Sequence, residues 1–401
     1  MPILIWVLLC ACVVSDATAD ERFVNKTETL VLLKEFPFAK CLDGSPSGFY
    51  FQEAAETADR SKFMIVLEGG GMCTHESDCS ARAKTDLGSS TKWKKTFNWD
   101  AWSLTTSDKR NRFRGWNKVW VKYCDGSIWS GARTTNLSND TFGLWFAGHH
   151  TVAATLEKLS AMTTLNSSSF IAFAGGSAGG LGVFINVHYV QERLPHATVV
   201  GVPVGGYVPS IVWYTGVKNT GPPVVDVRDQ AFVHHRQLYE AYLPKPCSVK
   251  LGMKQGYQCM IPRLSYPFTE QPMFVIEALT DSIVTTGFEA VPEDFLFYPQ
   301  PVKTFLSEYG RNASSNFAQV LHNSRDGVFA ASCFLHCHFT LDRPLVNGTN
   351  VIDALYSWTL QYMGKSDSAH LSHNGDFNWI DRCPNDQYWP PCNKHCPLLP
   401  N

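Results

Sequence analysis

The chain has 401 residues, of which 44% are apolar and 17% are charged, and its formal net charge is −2. This is a globular composition with ample length for a large core. The near balance of charge argues against nucleic acid, and against an anionic membrane surface, as a partner.

The first element is an apolar run over residues 3–14, followed by small residues that end near Ala19. The run is too short to cross a bilayer and is typical of a secretory signal peptide, with a buried N-terminal strand as the alternative. We therefore expect residues 1–19 to be a signal peptide. Residues 20–401 are then expected to form one secreted domain without a transmembrane span.

Two further features agree with secretion. Six N-x-S/T sequons are candidate glycosylation sites: Asn25, Asn136, Asn139, Asn166, Asn312 and Asn347. Two of the 13 cysteines lie near the N-terminus, at Cys10 and Cys12, which leaves eleven in the rest of the chain. The close groups at 333–338 and 392–396 lack paired C-x2-C spacing, so we expect disulfides and no metal or cofactor. Eleven is odd, so at least one thiol is free or pairs between chains.

Short apolar runs without polar alternation predict five buried strands, at 62–69, 119–124, 170–175, 197–205 and 273–281. Helical spacing of apolar residues predicts helices between some of them, at 146–162 and 181–194. This alternation predicts a mainly parallel sheet with helices on both faces in one large α/β domain. The polar, proline-containing region 214–272 is expected to be an insertion or cap.

The segment Gly175-Gly176-Ser177-Ala178-Gly179 matches G-x-S-x-G directly after a predicted strand and before a predicted helix. This is the context of a nucleophile elbow, in which small neighbours let strand and helix pack closely and the turn lifts the serine hydroxyl clear of the sheet. The helix N-terminus then directs N–H groups at charge developing on a substrate. We predict that Ser177 is a nucleophile, with a purely structural turn as the alternative.

A serine nucleophile needs a base and an acid that orients the base, and in α/β hydrolases the chain order is serine, acid, histidine. Asp281 ends the predicted strand 273–281 and is the candidate acid, with a cap or turn role as the alternative. The histidine should lie on a loop before the last predicted helix, at 350–363. His336 and His338 both fit, and the more distant competitors are His322, His370, His373 and His395.

An oxyanion hole needs the N–H of the residue after the serine and a second N–H from a loop that follows an earlier strand. Ala178 supplies the first. The second is expected from the three glycines at 69–71, because a substrate oxygen can approach the main chain there. A flexible hairpin is the alternative, and it explains one glycine better than three.

Six segments in chain order resemble the pectin acetylesterase/Notum family of secreted serine carboxylesterases: LEGGGMCTHESDCSARAKTDLGSS, VKYCDGSIWSGA, GGSAGGLG, ALTDS, SCFLHC and CNKHCP. The motifs run from Cys41 to Cys396. The resemblance implies an α/β-hydrolase-like fold with Ser177, Asp281 and His336 as the triad. It selects His336 because the family histidine follows a Cys-x-x motif, which 333–335 match.

The resemblance also implies the oxyanion donors Gly70, Gly71 and Ala178. It further implies three disulfides, which are Cys41–Cys124, Cys73–Cys79 and Cys247–Cys259. The second would close a short loop beside the oxyanion glycines, where rigidity keeps the donors aligned before a substrate arrives.

The sequence departs from the family pattern at two positions. Met72 stands beside the glycines where the family usually has an aromatic residue. Val204 stands where the family has an acidic residue, after the strand that follows the elbow. These departures concern the shape of the pocket more than the reaction.

One branch of the family removes acetyl groups from pectin, and the Notum branch removes a fatty acyl group from a secreted signalling protein. GGGMC and SAGGL resemble the first branch, whereas GVFINV and IWSGA, which contains Trp129, resemble the second. We expect O-deacetylation of a polysaccharide such as pectin, with Met72 and Trp129 as substrate contacts. The alternatives are removal of a palmitoleoyl group from a secreted protein and a catalytically inactive binding protein on the same fold.

Overall fold

The computed structural model describes residues 29–216, 225–292, 298–363 and 377–396. The expected signal peptide, the sequon at Asn25, and the competitors His370 and His373 lie outside the described residues. So does the stretch 217–224 within the expected cap.

The described residues contain nine strands: β1 Thr29–Leu32, β2 Gly48–Gln52, β3 Lys62–Leu67, β4 Asn117–Val121, β5 Phe170–Gly176, β6 Thr198–Val204, β7 Phe274–Asp281, β8 Gly327–Leu335 and β9 Asn378–Ile380. They form one sheet in the order β1-β2-β4-β3-β5-β6-β7-β8-β9. β2 pairs antiparallel with β1 and β4, and the other neighbours are parallel. The predicted mainly parallel sheet is confirmed.

The α-helices of the described residues are α1 Glu76–Arg82, α2 Ser138–Thr141, α3 Gly148–Met162, α4 Ala178–Arg193, α5 Phe232–Tyr239, α6 Lys245–Gln255, α7 Pro262–Ser265, α8 Gln300–Asn316, α9 Ala318–Leu321 and α10 Val351–Leu360. Successive residues of a strand point to opposite faces. Accordingly, Phe63 and Ile65 pack into the core that holds α3 and α4. Met64 and Val66 pack into the core that holds α10. The sheet is therefore covered by helices on both faces, as predicted.

Helix α4 begins three residues earlier than its predicted start at 181. Its first turn contains Gly179 and Gly180, which lower helix propensity and hide the helix start from a pattern-based prediction. The early start places the helix N-terminus directly behind Ser177.

The region between β6 and β7 contains α5, α6 and α7. It is tied to the rest of the chain by hydrogen bonds from Tyr239 Oη to the Cys73 carbonyl at 2.7 Å and from the Tyr242 amide to the Ser130 carbonyl at 2.8 Å. The Tyr239 side chain of this region therefore contacts the segment that follows the three glycines. That 214–272 acts as a cap on a single domain stays a prediction.

Candidate active site

Ser177 sits in a strained turn between β5 and α4. Its backbone has φ 55° and ψ −120°, a conformation that L-residues rarely adopt. A Cβ on Gly175 would lie 2.2 Å from the Gly179 carbonyl oxygen, and a Cβ on Gly179 would lie 2.1 Å from the Leu67 carbonyl oxygen. The two outer glycines of G-x-S-x-G therefore allow strand and helix to meet at the serine.

The three-glycine loop runs beside the serine. A Cβ built on Gly69 would lie 3.0 Å from the Ser177 Cβ. The next two residues have positive φ, 141° at Gly70 and 68° at Gly71. Within the described part of the chain, the amides of Gly70 and Gly71 donate no hydrogen bond. Ala178 is the first residue of α4, so its N–H has no acceptor in the helix.

The loop is held by side chains behind it. Glu68 accepts the Tyr123 amide at 2.8 Å and pairs with Lys122 at 2.5 Å. The Tyr123 hydroxyl donates to the Gly71 carbonyl at 2.9 Å. These contacts fix the loop from the β4 side, so its free amides keep their direction without help from a ligand.

Asp281 and His336 meet at the carboxyl ends of adjacent strands, since β7 ends at Asp281 and β8 ends one residue before His336. Asp281 Oδ2 lies 2.6 Å from His336 Nδ1. The other carboxylate oxygen accepts the amides of Ile283 at 2.9 Å and Val284 at 2.8 Å. Because an ionised carboxylate only accepts hydrogen bonds, Nδ1 carries the ring proton and Nε2 is left as a base.

His336 and Ser177 border the same short turn. The Ser177 amide donates to the Val204 carbonyl at 2.8 Å. A Cβ on the next residue, Gly205, would lie 3.2 Å from both Cε1 and Nδ1 of His336. His336 Nε2 is buried and has no hydrogen-bond partner among the described residues. The turn after β6 therefore brings the elbow and the histidine ring together.

The other described histidine candidates do not pair with Asp281. His338, His322 and His395 are exposed, and the histidine that donates its ring N–H to Asp281 is His336. The described residues contain no group of three or more His, Cys, Asp or Glu that could hold a metal ion.

Two buried carboxyls near Asp281 were missed by the sequence reasoning. Glu277 lies on β7 with 1% exposure, and Glu289 follows a π-helical turn, Val284–Phe288, with 2% exposure. Burial, and then the charge of Asp281, raise the pKa of Glu277 well above its usual range. Burial raises the pKa of Glu289 to about 8, with a smaller contribution from Asp281. A charged residue inside the apolar run MFVIEALTD was the signal for Glu277.

Met72 and Trp129 are both buried, with 8% and 1% exposure. The Trp129 ring stacks on Tyr123 at 5.1 Å, and its Nε1 donates to the Glu68 carbonyl at 3.1 Å. A Cβ on Gly182 of α4 would touch the same ring at 2.6 Å. Trp129 thus makes the contacts of a core residue beneath the elbow helix, and its role as a substrate contact stays a prediction.

The structure contains five disulfides in the described residues: Cys41–Cys124, Cys73–Cys79, Cys247–Cys259, Cys333–Cys396 and Cys383–Cys392. The first three are the pairs implied by the family resemblance. Cys73–Cys79 follows the glycine loop, and Cys333–Cys396 anchors β8 three residues before His336. Cys337 lies outside these disulfides, and its buried Sγ lies 3.6 Å from the Val204 carbonyl oxygen.

The described sequons lie on the surface. The asparagine side chains of all five are exposed: Asn136, Asn139, Asn166, Asn312 and Asn347. Among the described residues, helices are too short or too polar to cross a bilayer.

Comparison with known proteins gives matches over nearly the whole chain. A family model described as Pectinacetylesterase matches residues 23–397. Palmitoleoyl-protein carboxylesterase notum1a of Danio rerio is 26% identical over 376 residues, which cover 90% of this chain and 70% of that protein. Pectin acetylesterase 5 of Arabidopsis thaliana is 28% identical over 378 residues, covering 86% of this chain and 85% of that protein. Palmitoleoyl-protein carboxylesterase NOTUM of Homo sapiens is 26% identical over 380 residues, covering 90% and 71%.

Proposed function

The chain belongs to the pectinacetylesterase family of carboxylic ester hydrolases, and on that premise we propose that it is a secreted serine carboxylesterase. The observation that carries the proposal is the Asp281–His336 hydrogen bond at 2.6 Å, formed beside an elbow that holds Ser177 at positive φ. The five disulfides and the exposed sequons support secretion, because both features belong to the secretory route.

The proposed reaction has two half-reactions. Ser177 Oγ attacks the ester carbonyl carbon while His336 Nε2 takes the hydroxyl proton, and Asp281 stabilises the imidazolium that forms. The carbon–oxygen bond to the alcohol then breaks, and Nε2–H returns the proton to the leaving oxygen. Water, deprotonated by Nε2, attacks the acyl-enzyme, which releases the carboxylic acid and restores the Ser177 hydroxyl.

The reaction also requires that the negative charge developing on the tetrahedral oxygen be stabilised by hydrogen-bond donors. The proposed donors are the amides of Gly70, Gly71 and Ala178, which border Ser177 from the glycine loop and from the start of α4. Donors held in place before the substrate arrives cost no reorganisation in the transition state. Glu68 and Tyr123 provide that support from behind the loop.

The triad is tested by Ser177→Ala, with Ser169→Ala as a matched control at the other end of β5. We expect Ser177→Ala to lower kcat on p-nitrophenyl acetate by about a millionfold if the triad acts as a unit, as in subtilisin. A serine-directed fluorophosphonate should label the wild type and Ser169→Ala but not Ser177→Ala. Activity of Ser177→Ala near that of the wild type would refute the assignment, and an unlabelled, inactive wild type would favour a binding protein.

For the acyl group we propose acetyl on a polysaccharide such as pectin. The support is the glycine loop, where Gly71-Met72 replaces a bulkier pair, and the elbow sequence SAGGL. Trp129, the feature that resembles the fatty-acyl branch, contacts Tyr123 and α4. Its position therefore adds no argument for a lipid-binding wall.

Chain-length dependence separates the two substrate classes. Each methylene that gains apolar cover contributes about 0.8 kcal/mol, so a lipid pocket would favour octanoate over butyrate by roughly two hundredfold. We expect kcat/KM for the p-nitrophenyl esters to fall or stay level from acetate through butyrate to octanoate. Acetate release from acetylated pectin should exceed palmitoleate release from an acylated peptide. The reverse pattern would mean that the substrate carries a fatty acyl group, and the assignment of the triad would be unaffected.

A further inference from the structure

Glu277 is a buried carboxyl inside the catalytic architecture. It lies four residues before Asp281 on β7 and is within hydrogen-bonding reach of that carboxylate. Glu277 Oε2 accepts the Tyr207 amide at 2.9 Å, and Oε1 accepts the Ala278 amide at 3.1 Å. Among the described residues, no lysine, arginine or histidine forms an ion pair with it. A carboxyl this deep and without a cation is costly to ionise.

The Tyr207 amide matters because of the turn to which it belongs. The turn is formed by residues 204–207. The carbonyl of Val204 accepts the Ser177 amide, and Gly205 packs against the His336 ring. The Gly205 amide is itself bound to the Ile276 carbonyl at 2.9 Å, one residue before Glu277. Glu277 therefore fastens to β7 the turn that separates the serine from the histidine.

The hydrogen-bond donors around Asp281 and Glu277 indicate which of the two carboxyls is ionised. Asp281 receives the histidine N–H and two amides, the donor set of an ionised carboxylate. Two adjacent carboxyls in a dry site do not both ionise, so the one with weaker donors keeps its proton. The other titratable groups near Asp281 are Tyr309 on α8, Glu289 and His338. Burial, and then the neighbouring His336, lower the pKa of His338, so it stays neutral near pH 7 and adds no positive charge to offset a second carboxylate. The proton therefore resides on Glu277.

We propose that Glu277 is a positioning residue for the catalytic pair, with a neutral carboxyl that donates to Asp281 and accepts the Tyr207 amide. It thereby fixes both the carboxylate that orients His336 and the turn that holds Ser177. Ile276, the strand partner of Val204 in this turn, directly precedes Glu277. The inference rests on the proposed esterase function.

The test compares Glu277→Gln and Glu277→Ala, with Glu270→Gln as an exposed control just before the same strand. Glutamine keeps an oxygen for Tyr207 and an N–H for Asp281 and loses only the contact with the Ala278 amide, so we expect kcat within about threefold of the wild type. Alanine loses all of these contacts, including those to Tyr207 and Asp281, and we expect kcat to fall by about 10- to 100-fold with KM little changed, the usual cost of losing an orienting partner.

The pH profile distinguishes positioning by a neutral acid from other roles. If Glu277 is neutral, Glu277→Gln leaves the acid limb of kcat/KM where it is in the wild type. If Glu277 is ionised, removing its charge from beside Asp281 and His336 moves that limb down by about one pH unit or more, which overturns the proposal. Wild-type kcat in Glu277→Ala also overturns it. An inactive wild type refutes the esterase function instead, so the two failures are distinguishable.

Discussion

The serine half and the aspartate half of the candidate site are built in opposite ways. Backbone within five residues places Ser177, where two glycines let β5 meet α4, and its surroundings are N–H groups. Asp281 and His336 are 55 residues apart and meet because β7 pairs with β8. Their surroundings are the carboxyls Glu277 and Glu289. The serine half thus depends on local sequence, whereas the aspartate half depends on strand register and on where protons reside.

The largest expected effect tests that register. His336→Ala should lower kcat on a short acyl ester by about a millionfold, because the histidine that is hydrogen-bonded to Asp281 is lost. His338→Ala is the matched control, since this histidine is exposed two residues further on. Steady-state kinetics of the two variants with one substrate show which histidine is the base. Loss of activity in His338→Ala alone would mean that β8 presents a different histidine.

A smaller effect is expected from Asp281→Asn. The asparagine oxygen can still accept the amides of Ile283 and Val284, so the turn after β7 should persist. The amide N–H2 would then face His336 Nδ1 and force the tautomer that lacks a base at Nε2. In serine proteases of the same triad this substitution lowers kcat by about ten-thousandfold, and we expect a similar loss here.

The control for Asp281→Asn is Asp386→Asn, an exposed aspartate near the end of the described chain. Melting temperatures should show both variants folded. If Asp281→Asn keeps wild-type kcat while folded, Asp281 does not set the tautomer of His336, and the aspartate half needs another orienting group.

The same division explains what the sequence could predict. The sequence predicts the elbow because its determinants are contiguous, from Gly175 to Gly179. The two outer glycines are needed there because a side chain at either position would clash with the backbone. Asp281 was readable because it ends an apolar run. His336 and His338 could not be separated from residues alone, since the choice depends on where β8 ends, and β8 itself was not predicted.

Other parts of the fold depend on distant pairing. β1 and β2 are short. β2 pairs antiparallel with the edge of β4, and β1 pairs with β2, which no local pattern reveals. Glu277 was visible as a charge in an apolar run, but its importance depends on Tyr207, 70 residues earlier in the chain. Sequence patterns report local geometry, whereas these features arise from tertiary contacts.

The smallest effect concerns Glu289 and the stability of the fold. Its Oε1 accepts the Val212 amide at 3.1 Å, and its Oε2 has no partner among the described residues. Burial raises its pKa from 4.5 to about 8. The folded protein therefore holds this proton over a pH range in which the unfolded chain releases it. The stabilisation is complete below pH 4.5 and is lost as pH rises towards about 8, at no more than about 1.4 kcal/mol per pH unit.

Glu289→Gln tests this linkage, because glutamine keeps the oxygen for Val212 and cannot ionise. Urea unfolding with disulfides intact should show the free energy of unfolding of the wild type falling relative to that of Glu289→Gln between pH 5 and pH 8. Glu308→Gln, an exposed glutamate on α8, should follow the wild type. Parallel curves for wild type and Glu289→Gln would mean that Glu289 is already ionised at pH 5. The aspartate half would then contain two ionised carboxylates, Glu289 and Asp281. A third negative charge on Glu277 would be still more costly, so the assignment of a proton to Glu277 would become stronger.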